Sequence, residues 1–184
     1  MFRKAKLMLL AMLLGVVSCG DEFTYSSYPC YLVIENGIHQ NSTLAAAMNV
    51  MSPGVFCTIA VNEARKQYSF TNSHGQTSVA NFTANDLRLS RQVGMNDAVI
   101  VGYGSLTNQF YAFDRECPAC FSPDAIPVRS RPLSVGQDGM AACGVCKRQY
   151  NMNTGENCVS EGGAKGLTLY HASTTGPYGT LAVR

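Results

Sequence analysis

The sequence predicts an all-β protein built as a small antiparallel sandwich or barrel. Short apolar runs rich in β-branched and aromatic residues recur along the chain, and such runs are typical of strands. Asn, Gly, Asp and Pro, which favour turns, separate these runs. The length of 184 residues suits one domain, with or without a tail. Many short strands joined by turns therefore favour a sandwich or a barrel.

Seven segments carry the strand pattern, and one segment favours a helix. Residues 43–48 contain the best helix-forming run of the chain, Thr-Leu-Ala-Ala-Ala-Met, and Ser42 before them can cap the first turn. We therefore expect one short helix among the strands. The predicted strands are residues 30–34, 55–61, 98–103, 109–113, 148–152, 167–171 and 180–184.

The composition excludes two classes of protein. Hydrophobic residues make up 46% of the chain and charged residues 14%, a balance that excludes a disordered protein. The formal net charge of +2 indicates no nucleic-acid partner. The three histidines, His39, His74 and His171, are scattered along the sequence, and no catalytic arrangement stands out. We therefore expect a non-catalytic protein.

The first 18 residues have the composition of an export signal. Arg3, Lys4 and Lys6 form a basic start, and the apolar run of residues 7–17 is shorter than the roughly 20 residues that span a bilayer. Cys19 follows Val-Val-Ser, a pattern that resembles the lipobox of bacterial lipoproteins. The resemblance implies cleavage before Cys19 and acylation of that residue. A signal that is cleaved elsewhere, with Cys19 incidental, is the alternative.

The lipobox implies a domain order and a location. We expect a signal peptide at residues 1–18, a tether at residues 19–27 and a single domain at residues 28–184. The signal holds three of the fourteen basic residues and none of the twelve acidic ones, so the mature chain has a formal charge of −1. We expect a lipid anchor in the bacterial cell envelope, on the periplasmic or the surface face of the outer membrane. A protein partner would be one that the sequence does not identify.

Two pairs of cysteines carry the candidate chemistry of the chain. Cys117 and Cys120 form one C-x-x-C motif, and Cys143 and Cys146 form a second, with 22 residues between the motifs. In such a motif a tight turn aims two sulfurs at one point, and two motifs complete the tetrahedron that a structural zinc ion prefers. Four cysteine ligands leave no open coordination position, so we do not expect hydrolytic metal catalysis.

The motifs around these cysteines resemble, in order, those of a Rieske domain over residues 85–184. Cys117 and Cys143 match the cysteines of the C-x-H and C-x-x-H loops that bind a [2Fe-2S] cluster in that family. Ala119 stands where the first histidine would be and Cys146 where the second would be, so the ligand set departs from the family and is similar to that of rubredoxin. The surrounding matches are residues 110–114, Tyr150-Asn151, Thr154-Gly155, 167–170 and 179–183.

The chain is most similar to the Rieske-like lipoproteins of Bacteroidetes. That resemblance implies a Rieske-like all-β fold whose two loops form a metal-binding tip, within about residues 114–155. A lipobox signal with Arg3-Lys4 and no twin-arginine pattern implies export of an unfolded chain, which favours zinc over a preassembled cluster. We therefore expect a structural zinc ion.

Two alternatives stay open for the same four cysteines. A [2Fe-2S] cluster or a mononuclear iron would make the domain an electron-transfer protein. Disulfides within or between the motifs would make it a metal-free binding module, because a C-x-x-C outside the cytoplasm can oxidise.

Three further cysteines lie outside the two motifs. Cys30 and Cys57 are in predicted strands, where a free cysteine packs as a small buried hydrophobe. A disulfide between Cys30 and Cys57 is the alternative. Cys158 lies in a turn-rich segment, where we expect an exposed thiol.

Overall fold

The folded domain begins earlier in the chain than the sequence pattern indicates. The computed structural model describes residues 25–155, 157–160 and 165–184, so the predicted signal peptide, Cys19 and the tether up to residue 24 lie outside the described residues. Tyr25 bridges to Leu169, and the Ser26 amide donates to the Leu169 carbonyl at 2.8 Å. The last three residues of the predicted tether, 25–27, are therefore attached to the domain.

Antiparallel β-sheet dominates the structure, which confirms the all-β prediction. Strands make up 40% and helices 10% of it, and the described sheets do not close into a barrel. No helix in the described ranges is long and apolar enough to cross a bilayer. The strands are β1 (Cys30–Glu35), β2 (Phe56–Asn62), β3 (Gln67–Asn72), β4 (Thr77–Asn81), β5 (Gln92–Val93), β6 (Ala98–Tyr103), β7 (Phe110–Asp114), β8 (Leu133–Val135), β9 (Met140–Cys143), β10 (Gln149–Asn151), β11 (Asn157–Cys158), β12 (Leu169–Tyr170), β13 (Ala172–Thr174) and β14 (Thr180–Val183).

The described strands form three sheets. The largest has six strands in the order β12-β7-β6-β2-β3-β4, and the second has four in the order β13-β14-β1-β5. The third sheet has the order β11-β10-β9-β8, so its strands are consecutive in the chain. The chain leaves the six-stranded sheet after β7, builds the third sheet and returns at β12, where Leu169 pairs with Phe113. The third sheet is thus an insertion between two paired strands, and it carries the second cysteine motif.

Two clusters of buried side chains hold these sheets together. The first contains residues of the six-stranded sheet and of the sheet β13-β14-β1-β5, and burying each of its large aliphatic side chains stabilises the fold by about 1.5–3 kcal/mol. The second lies between the six-stranded sheet and the third sheet. The first includes Leu32, Ile34, Ile59, Val99 and Leu181, and the second includes Phe56, Phe113, Tyr150, Met152, Cys117 and Cys143.

Two short helices, α1 (Asn36–His39) and α2 (Ser42–Ala47), follow β1. The predicted helix is present as α2, but the prediction that Ser42 caps it was wrong. Asn41 is the cap residue: its backbone is extended and its side-chain oxygen accepts from the Leu44 amide at 3.0 Å. Asn41 provides the same kind of acceptor one position earlier, so Ser42 becomes the first helical residue.

Several strands lack the apolar signal that the sequence analysis relied on. Strand β3 is an exception: its buried Tyr68 and Phe70 alternate with polar residues, a pattern typical of a half-buried strand that our prediction missed. Strand β4 lies at the edge of the six-stranded sheet and has no fully buried residue. Strands β5, β8, β11 and β13 have only two or three residues each. Such strands are defined by their pairing partners, which a local pattern cannot predict.

A buried carboxylate ties α1 to the six-stranded sheet. Asp86 Oδ2 lies 3.0 Å from His39 Nε2, and Tyr68 donates to Asp86 Oδ1 at 3.0 Å. The amide and the hydroxyl of Thr83 donate to Oδ2 at 2.7 and 2.6 Å. Burial raises the pKa of Asp86, but the hydrogen bonds from Thr83 and Tyr68 outweigh it, and the pKa is lowered.

This network makes the stability depend on pH in a defined direction. A carboxyl whose pKa is lowered by folding stabilises the fold above its unfolded pKa of about 3.9, and that contribution is lost as the pH falls through the folded-state pKa. We expect Asp86→Asn to lower the free energy of unfolding by about 1–3 kcal/mol near neutral pH. The deficit should shrink as the pH falls below about 4.

Urea unfolding at a series of pH values measures this effect. Asp124→Asn, at an exposed carboxyl, is the control and should leave the pH profile of the parent protein unchanged. A deficit in the Asp86 variant that stays constant from neutral to acid pH would contradict the assignment.

Candidate metal centre

One strand segment brings the two cysteine motifs together. Residues 131–133 pair on one side with residues 115–117 through two backbone hydrogen bonds, of 2.8 and 2.9 Å. On the other side, Leu133 lies opposite Cys143 in the pairing of β8 with β9. Cys117, the first cysteine of the first motif, and Cys143, the first of the second, therefore flank the same segment.

The first motif is a tight turn that follows β7. The amides of Cys120 and Phe121 donate to the carbonyl of Cys117 at 3.1 and 2.9 Å, which closes the turn around Pro118 and Ala119. Proline suits this position because its φ is already set for a turn and no amide donor is needed there. The turn returns Cys120 to the side of Cys117.

The second motif is the loop of the hairpin formed by β9 and β10. The Cys143 amide donates to the Arg148 carbonyl at 2.9 Å, and the Lys147 amide donates to the Cys143 carbonyl at 3.0 Å. Lys147 has a φ of 63°, in the left-handed region, which reverses the chain directly after Cys146. The Lys147 ammonium donates to the Gly144 carbonyl at 2.7 Å and braces the loop.

The four motif cysteines form a single cluster. Their sulfur atoms all lie within 4.8 Å of one another, and the described residues contain no other group of three or more potential ligands in such an arrangement. The Cys117 and Cys146 sulfurs are 3.7 Å apart, and those of Cys120 and Cys143 are 3.9 Å apart. Both of these distances join a cysteine of one motif to a cysteine of the other. The cluster therefore requires both motifs.

The cluster lies at the boundary between the second core cluster and solvent. Cys117 is 0% exposed and Cys143 is 2% exposed, whereas Cys120 and Cys146 are half-buried. The first cysteine of each motif thus faces the core, and the second faces outward. All four are free thiols in the structure, so neither motif contains a disulfide and none joins the motifs.

The sulfur atoms differ in how readily they ionise. Burial raises the pKa of Cys143, but the amides of Cys146 and Val145 donate to its sulfur, and the pKa falls to about 7. Burial and the adjacent cysteines raise the pKa of Cys120 to about 12, and burial also raises the pKa of Cys117. One thiolate forms readily while its neighbours resist further negative charge. Such a set of donors fits a bound cation, which would stabilise the charge of all four thiolates.

A tyrosine hydroxyl lies behind the buried sulfur. Tyr150, on β10, is fully buried, and its hydroxyl lies 3.6 Å from the Cys117 sulfur. When Cys117 is a thiolate, the hydroxyl is the donor, because a thiolate has no proton to give. This contact supports the charged form of Cys117 and orients it.

A buried carboxylate fixes the approach to the first motif. Glu116 is 1% exposed, and its Oε1 accepts from Asn96 Nδ2 at 2.9 Å and from Ser130 Oγ at 2.7 Å. Its Oε2 accepts from the amide of Arg131. The side chain therefore joins three loops directly next to Cys117. A second buried carboxylate, Asp114 on β7, accepts from the Glu116 amide at 2.7 Å and from the Tyr170 hydroxyl at 2.8 Å.

The remaining cysteines lie away from the cluster. Cys30 is on β1 and Cys57 on β2, in different sheets, and both are buried free thiols. Burial raises the pKa of each to about 12. The bridge that we considered between Cys30 and Cys57 is not formed, and both pack as small apolar residues instead. Cys158 pairs with Tyr150 through its backbone, and its side chain lies outside the described part of the protein.

Comparison with known proteins gives no relative from which a function can be transferred. No protein-family model matches the chain, and neither a curated protein nor a solved structure matches it. The function is therefore inferred from the chemistry of the site.

The structure brings together all four cysteines that the motif spacing singled out: Cys117, Cys120, Cys143 and Cys146. Sequence reasoning missed Glu116, because an acidic residue between a strand and a cysteine looks like ordinary loop composition. Its burial depends on donors from residues 96, 130 and 131, which lie far from it in the chain.

The Glu116 contacts predict a large effect from a nearly isosteric change. In Glu116→Gln, the amide group must face at least one of the three donors, so a buried donor loses its acceptor. We expect the free energy of unfolding to fall by about 1–3 kcal/mol. We also expect the motif cysteines to react faster with a thiol reagent because the loop around Cys117 loosens.

Chemical unfolding and the rate of cysteine alkylation test this prediction. Glu35→Gln is the matched control, since Glu35 is exposed and accepts one hydrogen bond from Asn85. It should change the stability by less than about 0.5 kcal/mol. Equal effects of the two substitutions would refute the role assigned to Glu116.

Proposed function

We propose that the four motif cysteines bind one zinc ion that joins two loops of a non-catalytic protein. The observation that carries this proposal is the separation of the sulfur atoms. A zinc–sulfur bond of about 2.3 Å in a tetrahedral site implies sulfur–sulfur distances of about 3.8 Å. The measured distances of 3.7 Å between Cys117 and Cys146 and of 3.9 Å between Cys120 and Cys143 lie on either side of that value.

The same geometry favours one ion over a two-iron cluster. A [2Fe-2S] cluster holds two iron atoms side by side with two thiolates on each, so the two pairs of thiolates stand apart across the cluster. Sulfur atoms that all lie within 4.8 Å of one another surround a single central position. The site therefore suits zinc, or one iron atom, better than it suits the Rieske-type cluster.

A structural role follows from the number of ligands. Four cysteines saturate a tetrahedral ion and leave no position for water or substrate. The ion would link the turn after β7 to the hairpin loop between β9 and β10, which share the segment of residues 131–133. Since the unfolded chain has no preformed site, the free energy of metal binding becomes free energy of folding.

Electron transfer through a single iron atom is the second candidate, and one observation favours it. Cys120 and Cys146 are half-buried, so one side of the cluster reaches the surface, where an electron could leave. A mononuclear iron would use the same four ligands with the same tetrahedral arrangement. Zinc is proposed first because the unfolded export that we infer for this chain suits an ion acquired after export.

We also propose that the domain is Rieske-like. The support is the arrangement of sheets: a small sheet of consecutive strands, β8 to β11, is inserted between β7 and β12 of the six-stranded sheet. The first cysteine motif precedes that insertion and the second lies within it. In this arrangement Cys117 and Cys143 are at the positions of the family's cysteines.

The proposed location is the bacterial cell envelope, with the chain anchored through a lipid on Cys19. Tyr25 is already attached to β12. Six residue steps separate Cys19 from Tyr25, and an extended chain covers at most about 3.6 Å per residue, so the domain would lie within about 22 Å of the membrane surface. That short distance would restrict the domain to partners at the membrane.

Metal analysis of the protein from its native envelope tests the zinc proposal. We expect one zinc per chain, no visible absorbance and four cysteines protected from alkylation until a chelator is added. In Cys143→Ser the metal should be lost, and the melting temperature should fall by about 5–10 °C as the loops separate. Cys57→Ala is the control: it removes a buried thiol from the first core cluster, and it should lower stability without loss of metal.

Other outcomes would identify a different occupant. Visible absorbance with an iron signal in electron paramagnetic resonance would replace zinc with iron. No metal together with four blocked thiols would establish disulfides. A Cys143→Ser variant that melts like the parent protein would show that the site does not stabilise the fold.

The lipid anchor has a separate test. When the full chain is expressed in a bacterium of the proposed kind, radiolabelled palmitate should be incorporated, and the protein should fractionate with membranes. Cys19→Ser should abolish both, while Cys30→Ser should leave both intact because Cys30 is buried in the domain. Membrane association that survives Cys19→Ser would refute the anchor.

A further inference from the structure

We propose that a cleft beside the first cysteine motif binds a small organic anion that carries a flat ring. The cleft has a volume of about 410 Å³, within the range of about 300–1,000 Å³ typical of small-molecule sites. Four separate chain segments contribute to its lining: residues 25–28, Met95, the loop from Pro118 to Pro123, and residues 165–169. It is distinct from the four-sulfur cluster, although the first motif contributes part of its wall.

The walls of the cleft are flat and apolar. Tyr25, Tyr28 and Phe121 supply aromatic rings, and Pro118 and Pro123 supply rigid aliphatic ones. Such surfaces stack well on a planar ring.

One wall of the cleft is held in place before any ligand arrives. The Tyr25 ring stacks on His171 with centroids 3.6 Å apart and planes inclined by 23°. The backbone beside it is hydrogen-bonded to Leu169. Because this wall is already ordered, ligand binding causes little further loss of conformational entropy there.

The polar groups of the cleft favour a negative charge. Lys165 is exposed at its edge and forms no ion pair with any described residue, and no Asp or Glu of the described ranges lines the cleft. Thr168 is 7% exposed, and its Oγ1 is buried without a hydrogen-bond partner among the described residues. A buried hydroxyl without a partner destabilises the free protein, and a rotation of the Thr168 side chain toward the cleft would let a ligand oxygen supply the missing partner.

These features together define the ligand class. The rings select a planar group, Lys165 selects an anion, and the Thr168 hydroxyl selects an oxygen acceptor. A ring that carries a carboxylate or a sulfonate meets all three requirements. Since Pro118 and Phe121 belong to the turn around Cys117 and Cys120, the cleft wall depends on the order of that turn.

The probe for this site is anilinonaphthalene sulfonate, an aromatic sulfonate that becomes fluorescent in apolar surroundings. In a titration of the mature chain we expect saturable binding with one probe per protein. Lys165→Gln should weaken that binding about tenfold, an effect that salt reduces. Lys66→Gln removes the same charge from an exposed site on the far part of the sheet and should leave binding unchanged.

A second variant separates binding from folding. Thr168→Val keeps the shape of the side chain but removes the hydroxyl without a partner. We expect the melting temperature to stay the same or rise, while probe affinity falls about threefold or more. Phe121→Ala should also weaken binding, because it removes one aromatic wall.

Three results would overturn the proposal. They are non-saturable fluorescence, equal affinity in the Lys165 and Lys66 variants, and unchanged affinity in Thr168→Val. Metal content is measured on the same samples, so the two proposals can fail separately. Lys165-dependent binding to a protein without zinc would refute the metal proposal alone, and a zinc-loaded protein that does not bind the probe would refute the cleft alone.

Discussion

The four clustered sulfur atoms repel one another when they are ionised, and this repulsion is the constraint on which the region around the two cysteine motifs depends. Two unit charges about 4 Å apart repel by about 4 kcal/mol at an effective dielectric constant of about 20, and four thiolates within 4.8 Å make six such pairs. Without a cation, the cluster must keep most of its thiols protonated. With a divalent ion at its centre, each sulfur gains a strong attraction that outweighs the repulsion. The closeness of the sulfurs is therefore the strongest indication of a bound ion.

The fold imposes that closeness through backbone pairing. Residues 131–133 bond to residues 115–117 on one side and pair with the end of β9 on the other, so backbone pairing alone holds the two motifs side by side. Glu116 strengthens this pairing by accepting hydrogen bonds from two other loops, one through Asn96 and one through Ser130 and Arg131. A preformed arrangement of this kind lowers the ordering cost of binding an ion.

Aromatic and acidic side chains connect the site to the rest of the protein. Tyr150 links the Cys117 sulfur to the third sheet, and Asp114 links the Glu116 amide to Tyr170 on β12. Strand β12 also holds Tyr25, which lines the cleft. The cluster, the cleft and the segment that begins at Tyr25 therefore belong to one connected part of the structure.

The sequence by itself determined the features that depend on local spacing. The C-x-x-C motifs identified Cys117, Cys120, Cys143 and Cys146, because a four-residue turn brings two sulfurs to one side without help from distant residues. Apolar runs rich in β-branched and aromatic residues likewise predicted the buried strands β1, β2, β6 and β7. Only the tertiary structure decided what depends on long-range partners: strand β5, which pairs with β1, the burial of Glu116 and the cleft around Thr168. Each of these features depends on groups that are distant in the chain, so local composition cannot predict it.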